Sequence, residues 1–394
     1  MIINSLFQKI IKKGHLIWVK SNGTELEFGD KTGTFIKVKT TNAFSEIKMM
    51  MNPSLHFGES YMNGSLILEE GNIHDLLKLI FVNSGSNGDH WAIKIDKVIR
   101  TIRNKIVSGN YIIKSKKNVA HHYDLSDKLY ELFLDKDRQY SCAYFNSPND
   151  TLEQAQMNKK ELIAKKLLLE DGQNVLDIGS GWGGMASYLS KRSNVKVKGV
   201  TLSEEQFAYS KQRKINESLD QVEYHLQDYR NVNESYDRIV SVGMFEHVGT
   251  SHYQEFFNKI YELLNQKGVA LIHTIGRIDQ PTTNDAWIEK YIFPGGYIPA
   301  LSEVMQRVEK SGLTTTDVQV LKFHYAETLK RWRYNFYDNI DKVKELYDEK
   351  FCRMWDFYLS SSQASFEEST LVIYQLQLSK DKKTVPDSRD YLFV

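Results

Sequence analysis

Residues 174–184 restrict this chain more than any other stretch. Asn174-Val-Leu-Asp-Ile-Gly-Ser-Gly-Trp-Gly-Gly184 is a short apolar run that ends in an acid and passes into a glycine cluster, with helical spacing from Met185 to Lys191. Strand, tight turn and helix in that order form the entry unit of an open α/β sheet. Gly179, Gly181 and Gly183 let the backbone turn sharply and let a ligand approach without meeting a Cβ, while helix amides beyond offer donors. From about Leu152 onward the same rhythm repeats. It predicts strands at 174–178, 195–200, 222–226, 236–242, 269–274 and 371–378. The expected fold class is therefore α/β, a doubly wound Rossmann-like domain, preceded by a smaller α+β domain.

Ahead of that region the pattern differs. Ile2, Ile3, Leu6, Phe7, Ile10 and Ile11 recur at helical spacing, with Lys9, Lys12 and Lys13 before Gly14, so an amphipathic helix is expected over the first eighteen residues. Alternating segments at 24–28 and 34–39, set among the Asn22-Gly23 and Gly29-Asp30 turns, predict a small antiparallel meander. Residues 83–89 read as a loop. The run from 94 to 117 carries Lys94, Lys97, Arg100, Arg103, Lys105, Lys114, Lys116 and Lys117 against one acid, Asp96. It is either a solvated helix face or a surface for anions. The domain junction is placed after it, giving residues 1–118 as a lipid-associating domain with a basic linker and 119–394 as the catalytic domain.

Charge and cysteine content narrow the function classes. Fifty-one basic residues against fifty acidic ones argue against a general nucleic-acid binder. No apolar run is long enough to cross a bilayer, no secretory leader is evident, and Cys142 and Cys352 cannot make a disulfide framework. A cytoplasmic protein, at most peripheral to the inner membrane face, is expected. The glycine motif alone would also suit a dinucleotide. That reading loses ground because the second strand ends Gly199-Val-Thr-Leu-Ser203, with no acid for a ribose.

An acid-Ile-Gly-x-Gly-x-Gly turn resembles the first motif of class I S-adenosylmethionine methyltransferases. Thr201-Leu-Ser-Glu-Glu-Gln206 at the next strand end resembles the cyclopropane fatty acid synthase and mycolic acid cyclopropane synthase family. Further blocks carry the same resemblance: 122–127, 140–145, Val242-Gly-Met-Phe-Glu-His-Val-Gly249, His273-Thr-Ile-Gly276, 287–296 and 324–329. Phe57-Gly-Glu-Ser-Tyr-Met-Asn-Gly64 resembles a segment of the longer, phospholipid-acting members. The resemblance implies S-adenosylmethionine as cofactor, bound by Tyr123, Tyr140, Ser141, Asp177, Gly179, Gly181, Gly183, Thr201, Leu202 and Gln206, with Gln227, Asp228 and Tyr229 at the adenine. It also implies a homodimer, and unsaturated phospholipid acyl chains at a membrane surface as substrate.

An isolated alkene is a poor nucleophile, so such an enzyme must align it with the sulfonium methyl and keep water from the cation that follows. Closing a three-membered ring then needs a base for a proton of the new methyl group. In the family that base is associated with bound bicarbonate, and the matching positions are Cys142, Glu246, His273, the Ile275 backbone and Tyr325. Glu246 beside His247 could instead suggest a metal or acid–base pair; adjacent residues point apart, and no third ligand sits at metal spacing, so no metal is expected. Some members carry a cysteine in the stretch that reads Tyr358 to Phe366, where this chain has Ser362, so a thiol there is not required. Cys352 reads as packing on a helix. Two alternatives stay open: a related methyltransferase yielding methyl-branched or methylene chains or methylating small amines, and a lipid-binding protein without catalysis.

Overall fold

The computed structural model describes residues 8, 11–84 and 125–393. Stripe residues 2–7 and 10, residues 85–89 of the expected loop, the basic run at 94–117, the junction at 118 and Tyr123 lie outside these. By its contacts the chain divides into two compact units. One comprises residues 1–107, 282–294 and 329–370, the other residues 108–281, 295–328 and 371–394. The later segments of the first unit thus come from within the stretch read from sequence as a continuous catalytic domain.

The first unit starts with β1 (His15–Val19), β2 (Glu25–Phe28) and β3 (Phe35–Thr40), followed by α1 (Ala43–Met51), α2 (Pro53–Met62), β4 (Leu66–Glu70) and α3 (Ile73–Ser84). Residues 15–18, counted above in a helix, are strand, because Leu16 and Trp18 alternate into the core while His15 and Ile17 stay half-exposed. Nor is the sheet a simple meander. Its order is β2-β1-β3-β4, and β3 runs parallel to β1 with His15 opposite Phe35. Asn42 and Asn52 cap α1 and α2, accepting from Ser45 N and Leu55 N. Helix α1 is inverted: Glu46 is buried, taking hydrogen bonds from Ser21 N at 2.7 Å and Thr40 Oγ1 at 2.6 Å, whereas Phe44, Ile47 and Met51 are exposed.

From residue 125 the chain forms α4 (Asp127–Phe133), α5 (Leu152–Leu167), β5 (Asn174–Ile178), α6 (Gly184–Arg192), β6 (Lys196–Thr201), α7 (Glu204–Asn216), β7 (Val222–Leu226), β8 (Tyr236–Val242), α8 (Tyr253–Leu263) and β9 (Leu264–Arg277). It continues through α9 (Ala286–Tyr291), α10 (Leu301–Ser311), β10 (Thr314–Leu321), α11 (His324–Asp338), α12 (Ile340–Leu346), α13 (Glu349–Glu368) and β11 (Leu371–Ser379). In the second unit seven strands make one sheet of order β10-β11-β9-β8-β5-β6-β7. Strands β9-β8-β5-β6-β7 are parallel, and β11 is antiparallel to both β9 and β10. Strand order reverses between β5 and β8, so a crevice opens at the carboxyl end of β5. Both faces are covered: Phe245, Phe256, Phe257 and Ile260 pack on one, Ile163, Leu167, Met185 and Leu189 on the other.

The later segments of the first unit pack against its early helices. Trp287 and Phe357 lie 4.6 Å apart, centroid to centroid, and both crowd Gly58, where a Cβ would come within 2.6 Å of Trp287 and 2.8 Å of Phe357. The Tyr61 hydroxyl donates to the buried carboxyl of Asp356 at 2.6 Å, and Ser360 donates to the same group at 3.1 Å. Among the described residues no helix is long and apolar enough to cross a membrane.

Candidate active site

The crevice is built from the glycine turn outward. Gly181 adopts φ 56°, and a Cβ there would project into open space, so the missing side chain leaves room for a ligand. Gly183 has a different task. Its Cβ would lie 2.5 Å from the Tyr224 Oη, and that hydroxyl donates to the Gly183 carbonyl at 2.9 Å, so the residue sits in packing and not in the cleft wall. Asp177, the last residue but one of β5, is buried with its Oδ2 lacking a hydrogen-bond partner. Burial pushes its carboxyl up to about 7, with the Lys159 ammonium opposing that rise.

Eleven of the residues expected at the cofactor line one cleft: Tyr140, Ser141, Asp177, Gly179, Gly181, Thr201, Leu202, Gln206, Gln227, Asp228 and Tyr229. Thr201 Oγ1 donates to Gln206 Oε1 at 3.1 Å, and Ser203 caps α7, so the second strand end is a fixed hydrogen-bonded corner. At the third strand end, Arg230 holds the Asp228 carboxylate through two bonds of 2.9 and 2.7 Å. The cleft also takes in Arg138, Gln139, Trp182, Arg230, Met244 and His247, which sequence reasoning did not assign. Gln139, Trp182, Arg230 and His247 directly adjoin an assigned residue, and that adjacency was the available signal; Arg138 and Met244 lie two positions from one. His247 faces the cleft while Glu246 bonds elsewhere, and burial lowers its ring to about 4, so it is neutral. Among the described residues no group of three His, Cys, Asp or Glu side chains could hold a metal ion.

A second polar cluster lies in the same unit. Glu246, on the turn after β8, accepts from Ile275 N at 2.6 Å through Oε1, while Oε2 is buried with no partner. The Ile275 amide is therefore occupied by Glu246 in this structure. His273 on β9 faces Gln375 of β11 across the sheet, with the Gln375 amide donating to Nδ1 at 3.1 Å. The ring proton then sits on Nε2, a buried donor without a partner. Burial raises the Glu246 carboxyl above its usual range and holds His273 well below its ordinary value. Cys142 is buried, and burial pushes its thiol up, which removes it as a thiolate nucleophile. The adjacent Ala143 N donates to Thr328 Oγ1 at 3.0 Å, one helical turn from the buried Tyr325 on α11.

A doubly wound sheet with a glycine turn at its switch point, no acid at the second strand end and a hydrogen-bonded Thr201–Gln206 corner defines a class I S-adenosylmethionine methyltransferase. The donor set fits that cofactor, since Asp177 offers a buried, unpartnered carboxyl oxygen and Gly181 an open flank. The chain belongs to the mycolic acid cyclopropane synthetase family, whose model matches residues 111–376, while a domain of unknown function matches residues 3–90. Cyclopropane-fatty-acyl-phospholipid synthase of Escherichia coli (strain K12) is 35% identical over 361 residues, covering 88% of this chain and 87% of that protein. A tuberculostearic acid methyltransferase of Mycobacterium tuberculosis is 32% identical, covering 96% of this chain and 91% of that one. The solved cyclopropane synthase MmaA2 from Mycobacterium tuberculosis superposes with a TM-score of 0.64 at 34% identity, covering 67% of this chain and 98% of its own.

Proposed function

We propose that this methyltransferase adds a methylene unit from S-adenosylmethionine to the cis double bond of an unsaturated phospholipid acyl chain, leaving a cyclopropane ring. The observation that carries the reading is the pair of buried, partnerless polar atoms Glu246 Oε2 and His273 Nε2 beside the donor cleft's own strand ends. The alkene π pair forms the new C–C bond to the methyl carbon as the S–C bond breaks toward sulfur. A C–H pair of that methyl group then closes the ring, and its proton leaves for a base. Bicarbonate, when bound, supplies that basic oxygen. The protein's part would be to hold it: His273 Nε2–H would donate, Tyr325 would offer a hydroxyl, the Cys142 segment would supply a further donor, and Glu246, whose carboxyl burial raises, would take a hydrogen-bonding role at Oε2. Ile275 serves by fixing Glu246.

Labelled S-adenosylmethionine and vesicles of unsaturated phospholipid test this directly. Mass spectrometry of the acyl methyl esters should give a gain of one methylene with loss of the alkene, and rates should fall when bicarbonate is stripped from the buffer. A methyl-branched or methylene product would replace the ring-closing reading with its alternative, and unlabelled lipid would overturn both. The membrane surface, reached through the amino-terminal stripe and the basic run at 94–117, belongs to the same proposal, as does a homodimer. Vesicle binding should weaken as salt rises; salt-independent binding would remove the electrostatic part.

A further inference from the structure

Lys159 lies on α5 with no solvent exposure. Its neighbour Lys160 takes the nearby carboxylate, donating to Asp137 Oδ2 at 2.6 Å. Lys159 Nζ instead donates to two neutral acceptors, Gln139 Oε1 and Ser141 Oγ, each at 2.8 Å. One turn earlier on the same helix face, the Gln156 amide donates to the backbone carbonyls of those same two residues at 3.2 and 3.0 Å. Residues 139–141 are therefore clamped from behind by one helix, backbone and side chain alike. Gln139 and Ser141 line the donor cleft, and the next residue is Cys142.

A dry ammonium is a costly way to achieve packing that a methionine would supply. Burial drives the Lys159 pKa down to about 7, with Asp135 the largest opposing influence. Its charge also reaches outward: the Asp177 carboxyl, the Cys142 thiol and the His273 ring all lie within its field. These groups come from the end of β5, from the 139–142 segment and from β9. The ammonium thus stands behind both the cofactor cleft and the second polar cluster.

We propose that Lys159 is a positioning residue for methyl transfer, holding Gln139 and Ser141 in the wall of the donor cleft and setting a positive charge behind Cys142 and His273 that favours an anion there. The second half rests on the bicarbonate reading; the first does not. The test uses the full-length chain carrying Lys159→Met and, separately, Lys159→Gln, with thermal melting run beside steady-state kinetics. Expected are a rise of about tenfold in KM for S-adenosylmethionine and a similar rise in the bicarbonate concentration giving half-maximal rate, with kcat at saturation little changed. A role confined to stability would lower the melting temperature and leave both concentrations at wild-type values, which overturns the proposal. Should wild-type turnover prove indifferent to bicarbonate, the anion reading falls on its own account, and the donor KM decides the clamp: raised supports it, unchanged overturns it. Should Lys159→Met not fold, Lys159→Gln, which keeps a polar end at the same depth, is read by the same criteria.

Discussion

Glu246 shows how burial and chemistry oppose each other at a single residue. Its carboxyl has a folded pKa raised by burial, so its contribution to stability is fullest below the unfolded carboxylate value and is lost as pH rises through the folded one. Glu246→Gln keeps the acceptor for Ile275 N and removes the ionisation. It should lower turnover on the order of 100-fold, while melting at or above the wild-type temperature at neutral pH, with the difference shrinking toward pH 5. A melt at each pH beside the assay checks both halves. The glycine turn separates two roles in the same way. Gly181→Ala should cost about 1–2 kcal/mol from the left-handed backbone and raise the donor KM, because its methyl enters the open cleft. Gly183→Ala should cost more than that, since its Cβ meets Tyr224, and the difference is readable by chemical denaturation. Gly179 and Gly181 were legible in the sequence because the turn that closes the first strand needs a left-handed backbone there, whereas Asp177, Thr201 and Gln206 were reached through the motifs they share with the family. Trp182 and His247 were not, because which neighbour turns toward the cleft depends on the local turn and not on residue type.

At the level of elements, the strands at 174–178, 222–226 and 236–242 could be read directly, being short apolar runs closed by turns. Strand β10 (Thr314–Leu321) could not: it is an edge strand whose residues are mostly half-exposed, so its sequence lacks an apolar run. Strand β9 extends well beyond the expected 269–274, because both of its neighbours keep pairing with it. The pairing of α2 with α13 through Tyr61 and Asp356 was equally hidden, as the two lie almost three hundred positions apart. Asp356 is buried, and burial raises its carboxyl, with the Tyr61 hydroxyl among the bonds that resist the rise. Tyr61→Phe should therefore destabilise the first unit by about 1–3 kcal/mol with the donor KM unchanged, a split that melting and kinetics on one sample would reveal.

Over the whole molecule, the threading of the chain through its two units is what the residue pattern does not carry. A change of rhythm from about Leu152 onward is visible in the residue pattern. That residues 282–294 and 329–370 fold with the amino-terminal segment is not, since their helical patterns look no different from those around them. What reveals it is packing, with Trp287, Phe357 and Gly58 in one close contact. This threading limits how the gene can be recombined. A chimaera that exchanges only residues 1–118 with a relative would import α2 without its partners α9 and α13, leaving a foreign surface against Trp287 and Phe357. Single-crossover hybrids should express poorly, whereas hybrids that carry 282–294 and 329–370 from the same parent should recover. The coding sequence thus behaves as one linkage group across three separated blocks.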